Sequence, residues 1–267
     1  MKSPLPLLCF LLASSLFLPM SAQAQDVAAR EQSLARNLDE LLERYCAANG
    51  GRETINSVRS LRVEAVLSTA DGQSGTMIFI KQKPNFIRTS WHSNNGVIIS
   101  KGFNGTQAWE HVSFPNGDER YSFISKVPRD VFEWVLADPE GCGATLEMLP
   151  IERDGSRELY HVRASFAATG FVCDYWLDAV SLCEVRVRER DADGTETESI
   201  VEKPFRQDGI WFPGVQREVL PDGSSGNVVE VKDVQMNIGL LHCFFDPPKE
   251  LVDAAKKAEA DIPAPTL

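Results

Sequence analysis

The chain has 267 residues, 43% of them hydrophobic, with 27 basic against 38 acidic side chains and a net charge of −11. That length can bury a full core, and the excess of acid repels phosphate backbones, which argues against nucleic acid as a partner. No polybasic segment offers a hold on anionic lipid either.

The chain opens on Met1-Lys2-Ser3, continues through an apolar run over 5–18 and reaches the small-residue signal Ala22-Gln23-Ala24. This pattern predicts a cleaved signal peptide over residues 1–24, a mature chain starting at Gln25 and a periplasmic location. The run is broken by Pro6 and two serines and is shorter than the roughly 20 residues a spanning helix needs, so no stable membrane anchor is expected. A single domain is predicted over 25–248, followed over 249–267 by a short helix and a flexible, Pro-rich tail.

Leu34, Leu38, Leu41, Leu42 and Tyr45 recur at helical spacing opposite a charged face, and Asn49-Gly50-Gly51 supplies the stop. A short turn over 52–57 leads into strand candidates at 60–68, 75–82, 86–92, 97–103 and 106–112. They are separated by Asp71-Gly72, Asn94-Asn95-Gly96 and Asn104-Gly105, which are hairpin signals. Pro128 at a helix start, followed by Val131, Phe132, Val135 and Leu136, predicts a second amphipathic helix that ends at Pro139-Glu140-Gly141 and lies across one sheet face. Strands resume at 144–152, 158–166, 171–177, 183–190 and 196–205. After a bend at 209–213 a last pair follows at 215–220 and 228–238. In the 183–190 segment, Val185 and Val187 alternate with Arg186, Arg188 and Arg190, which marks a strand with one wet face. These turn-linked strands and few helices define a mainly β (α+β) fold. The expected form is one large, curved antiparallel sheet making an incomplete, unclosed β-barrel, with helices capping the concave side.

Catalytic punctuation is sparse. The four histidines, His92, His111, His161 and His242, fall in no metal-ligand spacing, there is no Gly-x-Ser-x-Gly elbow, and no glycine-rich phosphate loop is present. No catalytic residue, metal or cofactor is assigned. An envelope hydrolase would require His111 or His161 to meet carboxylates in space. Cys173 and Cys183 flank a hairpin turn, and two readings stay open for them: a disulfide across the hairpin, or two small buried hydrophobes. The aromatic residues are the strongest remaining signal. Phe79, Trp91, Phe103, Trp109, Phe132, Trp134, Trp176 and Trp211 are the candidates to line an apolar cavity inside the curved sheet.

Several segments resemble the outer-membrane lipoprotein-sorting protein family, which groups with the LolA/LolB-like periplasmic carriers. They are Gly50-Gly51-Arg52-Glu53-Thr54-Ile55, Lys83-Pro84-Asn85-Phe86-Ile87-Arg88, Gly102 through Trp109, Asp208-Gly209-Ile210-Trp211-Phe212-Pro213 and Phe244-Phe245-Asp246-Pro247-Pro248. The resemblance spans roughly residues 46–248. It implies a soluble carrier that shields the acyl chains of a lipoprotein or another lipid during outer-membrane biogenesis, handing on between an inner-membrane transporter and an outer-membrane acceptor. The alternative is an envelope interaction or sensor module that uses the same curved sheet to bind a protein.

Overall fold

Helix α1 (Leu38–Ala48) starts where Asn37 can cap it, its side-chain oxygen accepting from the Glu40 amide at 2.9 Å; Leu34 therefore precedes the helix that its spacing suggested. The molecule is described by a computed structural model covering residues 34–125, 127 and 134–260; the expected signal peptide and Phe132 lie outside the described residues. Leu41, Leu42, Tyr45 and Cys46 form the buried stripe of α1. Its C-terminus is a Schellman turn, in which Gly51 N–H donates to the Cys46 carbonyl at 2.8 Å and Gly50 N–H to that of Ala47 at 3.2 Å. The positive φ of 79° at Gly50 makes that turn affordable only to a residue without a side chain. Helix α2 (Arg52–Ser57) then leads into the sheet.

The first meander is β1 (Ser60–Ser68), β2 (Ser74–Gln82), β3 (Phe86–Ser93), β4 (Ile98–Asn104), β5 (Ala108–Ser113) and β6 (Glu119–Ile124). The second is β7 (Thr145–Asp154), β8 (Arg157–Phe166), β9 (Phe171–Asp178), β10 (Glu184–Arg190), β11 (Glu196–Glu202), β14 (Val215–Val219) and β15 (Ser225–Met236), interrupted by a ribbon of β12 (Phe205–Gln207) and β13 (Ile210–Phe212). All but the ribbon join one 13-stranded antiparallel sheet, in the order β6-β5-β4-β3-β2-β1-β15-β14-β11-β10-β9-β8-β7. The first and last strands pair at its centre, Val63 opposite Val234, with a bulge between Glu64 and Ala65. Among the described residues the edges β6 and β7 stay unpaired, so the barrel is left open, and the chain between them runs from one edge to the other.

Strand β6 lies outside the expected set. Its Asn116-Gly117 turn is a hairpin signal, but the strand itself is mostly exposed and polar, so hydrophobic alternation is weak there. The expected strand over 196–205 breaks after Glu202, because Lys203 takes a φ of 51° and Pro204 cannot donate to a ladder. The chain leaves the sheet at that point, and the expected bend is a tight hairpin through Asp208 and Gly209, both at positive φ. This ribbon presses Ile210 and Phe212 onto Val58, Leu61, Val63, Phe79, Ile87 and Val234, with Trp134 packed against the same cluster. Of the expected second helix, the residues from 134 onward form turns. The C-terminal 3-10 helix His242–Phe245 and helix α3 (Lys249–Ala260) close the described chain, α3 against β6.

The hairpin register rules out a Cys173–Cys183 disulfide. Cys173 lies opposite Glu189, whereas the Cys183 carbonyl accepts from Asp178 N–H at the turn. That puts the two thiols about 16 Å apart along the strand direction, far beyond disulfide reach; neither is in a disulfide, and both are buried. Unfolded without reductant, the protein should therefore take up iodoacetamide at both positions, read by peptide mass; a linked pair of peptides would contradict this register. On the opposite face from the cavity, Gly102 leaves room for the Trp109 indole, and a Cβ there would sit 2.4 Å from the ring. Gly102→Ala should cost about 1–3 kcal/mol in urea unfolding through overpacking.

Candidate functional site

On the concave face the sheet and its cover enclose a cavity of about 890 Å³, within the size range of small-molecule sites. Pleat parity builds the wall. Val63 and Ala65 on β1, Met77 and Phe79 on β2, Phe171, Cys173 and Tyr175 on β9, Val187 on β10, Val201 on β11 and Val229 and Val231 on β15 all face inward. The cover is Trp134 and Val135 from the crossing segment, with Trp211, Phe212 and Pro213 from the ribbon end. Several wall positions hold valine or alanine where phenylalanine or leucine would fill the space.

The two ends of the cavity differ. At the β10–β11 turn, Ala192 and Asp193 are exposed, so that end opens to solvent. The other end is closed by α1, where Tyr45 and Asn49 are 3% and 1% exposed. Asn49 ties helix to ribbon: its amide donates to the Tyr45 carbonyl at 3.0 Å and its Oδ1 accepts from Trp211 N–H at 3.0 Å. Arg52 Nη1 donates to the Ala137 carbonyl at 2.5 Å, which holds the crossing segment to α2. Trp134 meets Phe212 edge-on at 6.3 Å, and the Lys81 ammonium lies 4.7 Å over the Trp134 ring.

One ionisable cluster sits at the closed end. Tyr45 Oη donates to Glu184 Oε1 at 3.3 Å. Burial pushes the Glu184 carboxyl above its ordinary range, and the Tyr45 hydrogen bond offsets part of that rise. Burial raises the phenols of Tyr45 and Tyr175 as well, and the Glu184 charge adds to both shifts. The thiols of Cys46 and Cys183 are likewise raised by burial, which is the opposite of an activated nucleophile.

The expected lining residues divide by strand register. Phe79, Trp134 and Trp211 line the cavity. Trp91 shares the concave face but lines an adjoining space of about 270 Å³ that meets the main one at Met77. Phe103, opposite Ile87 and Ala108, faces the same way and is half-buried outside the lining. Trp109 and Trp176 point to the other face and do not line it. Trp109 is anchored there by its indole N–H, which donates to the Phe245 carbonyl at 2.9 Å. Tyr45, Tyr175 and Glu184 were not among the candidates. Tyr45 read as part of a helix stripe, and alternation alone puts Glu184 on the wet face with Arg186 and Arg188. A bulge between Glu184 and Arg186 sets Glu184 opposite Leu177 and turns it inward.

The meeting of His161 with carboxylates that a hydrolase would need does occur, on the convex face. Nδ1 lies 3.0 Å from Glu152 and Nε2 3.0 Å from Asp174. Both ring nitrogens are thus engaged, while Arg163 grips Asp174 through two contacts and Arg186 takes Glu152 at 2.7 Å. The His161 ring stacks on Trp176 at 4.3 Å, and Arg186 covers that indole at 3.8 Å. No nitrogen is left to act on a substrate, so the cluster is a clasp across β7, β8, β9 and β10 rather than a reactive centre. Burial alone would raise Asp174; hydrogen bonds from Arg163 and His161 outweigh it and hold the carboxyl below its usual range. Trp176 and then Arg186, both beside Glu152, likewise outweigh its burial and lower its carboxyl. Among the described residues, no group of three histidine, cysteine or acidic side chains is placed to hold a metal.

No family model matches the sequence, and no curated protein does. Solved structures do. A DUF1329 family protein from Desulfovibrio piger superposes with a TM-score of 0.52 at 13% identity, over 77% of this chain and 97% of that one. A putative outer membrane lipoprotein-sorting protein domain from Vibrio parahaemolyticus gives 0.51 at 13% identity, over 79% and 96%. A LolA superfamily protein from Nitrosomonas europaea gives 0.51 at 13%, over 79% and 98%. The fold is LolA-like. At this identity the likeness fixes the architecture, an open antiparallel sheet with few helices, and leaves the function to the residues of the cavity.

Because Asp174 and Glu152 are held below the ordinary carboxylate range, the clasp contributes stability at neutral pH that is lost as pH falls through and below that range. Asp174→Asn should lower stability by about 2–3 kcal/mol, because it removes the charge that Arg163 and His161 face and replaces one acceptor oxygen with an NH2 donor. It should also flatten the acid limb of the stability curve in thermal melts taken across pH.

Proposed function

We propose that this protein is a periplasmic carrier that shields the apolar part of a lipid or lipoprotein from water and has no catalytic role. One observation carries the reading: an 890 Å³ apolar cavity, open at one end, on the concave face of a sheet that does not close. Each methylene transferred into such a space contributes about 0.8 kcal/mol, so part of one acyl chain gives useful affinity without covalent chemistry. Solved proteins of like fold include one described as an outer membrane lipoprotein-sorting domain, which supports acyl chains as cargo. No helix among the described residues is long and apolar enough to cross a membrane. Exchange with an inner-membrane donor or an outer-membrane acceptor would supply loading and release, with the crossing segment that carries Trp134 as the lid.

Lipid extracted from the purified protein and native mass spectrometry test the reading directly. Acyl-bearing species should accompany the wild-type chain. Ala65→Trp, which places an indole in the wall beside Met77 and Val231, should reduce bound lipid and bis-ANS fluorescence several-fold while the protein remains folded by circular dichroism. A lipid-free preparation that retains a stable protein partner would favour the interaction module instead.

A further inference from the structure

We infer, building on the carrier reading, that the ligand enters polar end first and that Glu184 receives that end, which selects a hydroxyl or amine donor and rejects a negatively charged head. Glu184 stands at the closed end, about 20 Å along β9 and β10 from the open end, on the strand arithmetic of six residues from Phe171 to Leu177. One carboxyl oxygen accepts from Tyr45 at 3.3 Å; the other carries no hydrogen bond among the described residues. The other acids packed on this sheet are treated differently. Asp174, Glu152, Glu198 and Glu202 each meet an arginine at between 2.6 and 2.8 Å. Among the described residues Glu184 has no such partner, although a half-buried carboxylate without a counter-charge is costly.

The bulge supplies the second, independent observation. Without it, Glu184 would share the wet face with Arg186 and Arg188; with it, the side chain leaves available arginines and points into an apolar space. A local irregularity that turns a charge inward opposes stability, and bulges recur where a functional side chain must be re-aimed. The remaining lining sharpens the selection. No lysine or arginine lines the cavity among the described residues. A fatty acid would bring its carboxylate to lie beside Glu184. An ammonium or hydroxyl instead gives the free carboxyl oxygen the donor it lacks, with the Tyr45 and Tyr175 phenols alongside.

Three ligands with one chain separate the alternatives: decylamine, decanol and decanoate, each below its micellar concentration at neutral pH, titrated into delipidated full-length protein. Fluorescence of Trp134 and Trp211 in the wall reports binding. Decylamine should bind at least tenfold tighter than decanoate, with decanol between them. In Glu184→Gln the amine should lose that advantage and decanoate should gain, while decanol changes little. Should that variant fail to fold, the wild-type ranking alone decides. Equal affinity for all three, or a preference for decanoate, would overturn the inference and leave the carrier reading standing. Binding of none of them, with wild-type protein free of lipid, would sink both.

Discussion

The architecture depends on the pairing of the first strand with the last. Because β1 and β15 meet at the centre of the sheet, the meanders grow outward in opposite directions and end on β6 and β7, strands far apart in sheet order. A closed barrel would need those two edges to pair. The segment between them instead bridges the gap and sends Trp134 down onto Phe212 and the central cluster. Openness therefore follows from the edges β6 and β7 not pairing, and it creates both the entrance and the need for a cover.

The pleat then divides the chemistry between two faces. Inward positions on the middle strands are small or apolar, and the ribbon with Ile210 and Phe212 fills one part of the hollow while leaving the rest unfilled. Outward positions on β8 to β11 carry interlocked arginines and acids around Trp176 and His161. On the other half, the outward face is covered by Phe244 and Phe245 against Trp109 and Arg88. Two buried indoles, Trp109 and Trp176, serve as girders on the convex side, where each is held in place by neighbours. In the cavity wall, valine, alanine and methionine stand between the aromatic residues, and their shortness is what leaves room.

A polar group at the blind end of an apolar cavity also changes what the cavity can be. Greasy walls accept any chain of suitable length. A carboxyl at the closed end, beside phenols and hydrogen-bonded to Tyr45 on one oxygen, would impose an orientation and a sign of charge on an occupant. The cost of keeping Glu184 there is set against the ion pairs that anchor the same strands on the opposite face.

Much of this was legible in the residues themselves. Turn chemistry at Asp71-Gly72, Asn94-Asn95-Gly96 and Asn104-Gly105 located the hairpins, and Asn49-Gly50-Gly51 marked the end of α1, because these are local conformational preferences that need no partner. The open, mainly β form followed from counting those units. Polar β6 escaped because it buries too little to show alternation, and the excursion at Lys203-Pro204 escaped because its reason, covering the concave face, lies elsewhere in the chain. Period-two reasoning groups residues by parity but does not say which parity faces inward; Trp109 and Trp176 were consequently taken for lining together with Phe79 and Trp211. A single bulge reverses parity, and it alone placed Glu184 inside. The amino-acid order by itself determined the strands, the turns and the supply of apolar bulk, since these follow from short-range sterics and hydrophobic periodicity. Only the tertiary structure decided which face is hollow and which charge it encloses, since both depend on strand pairing between distant segments.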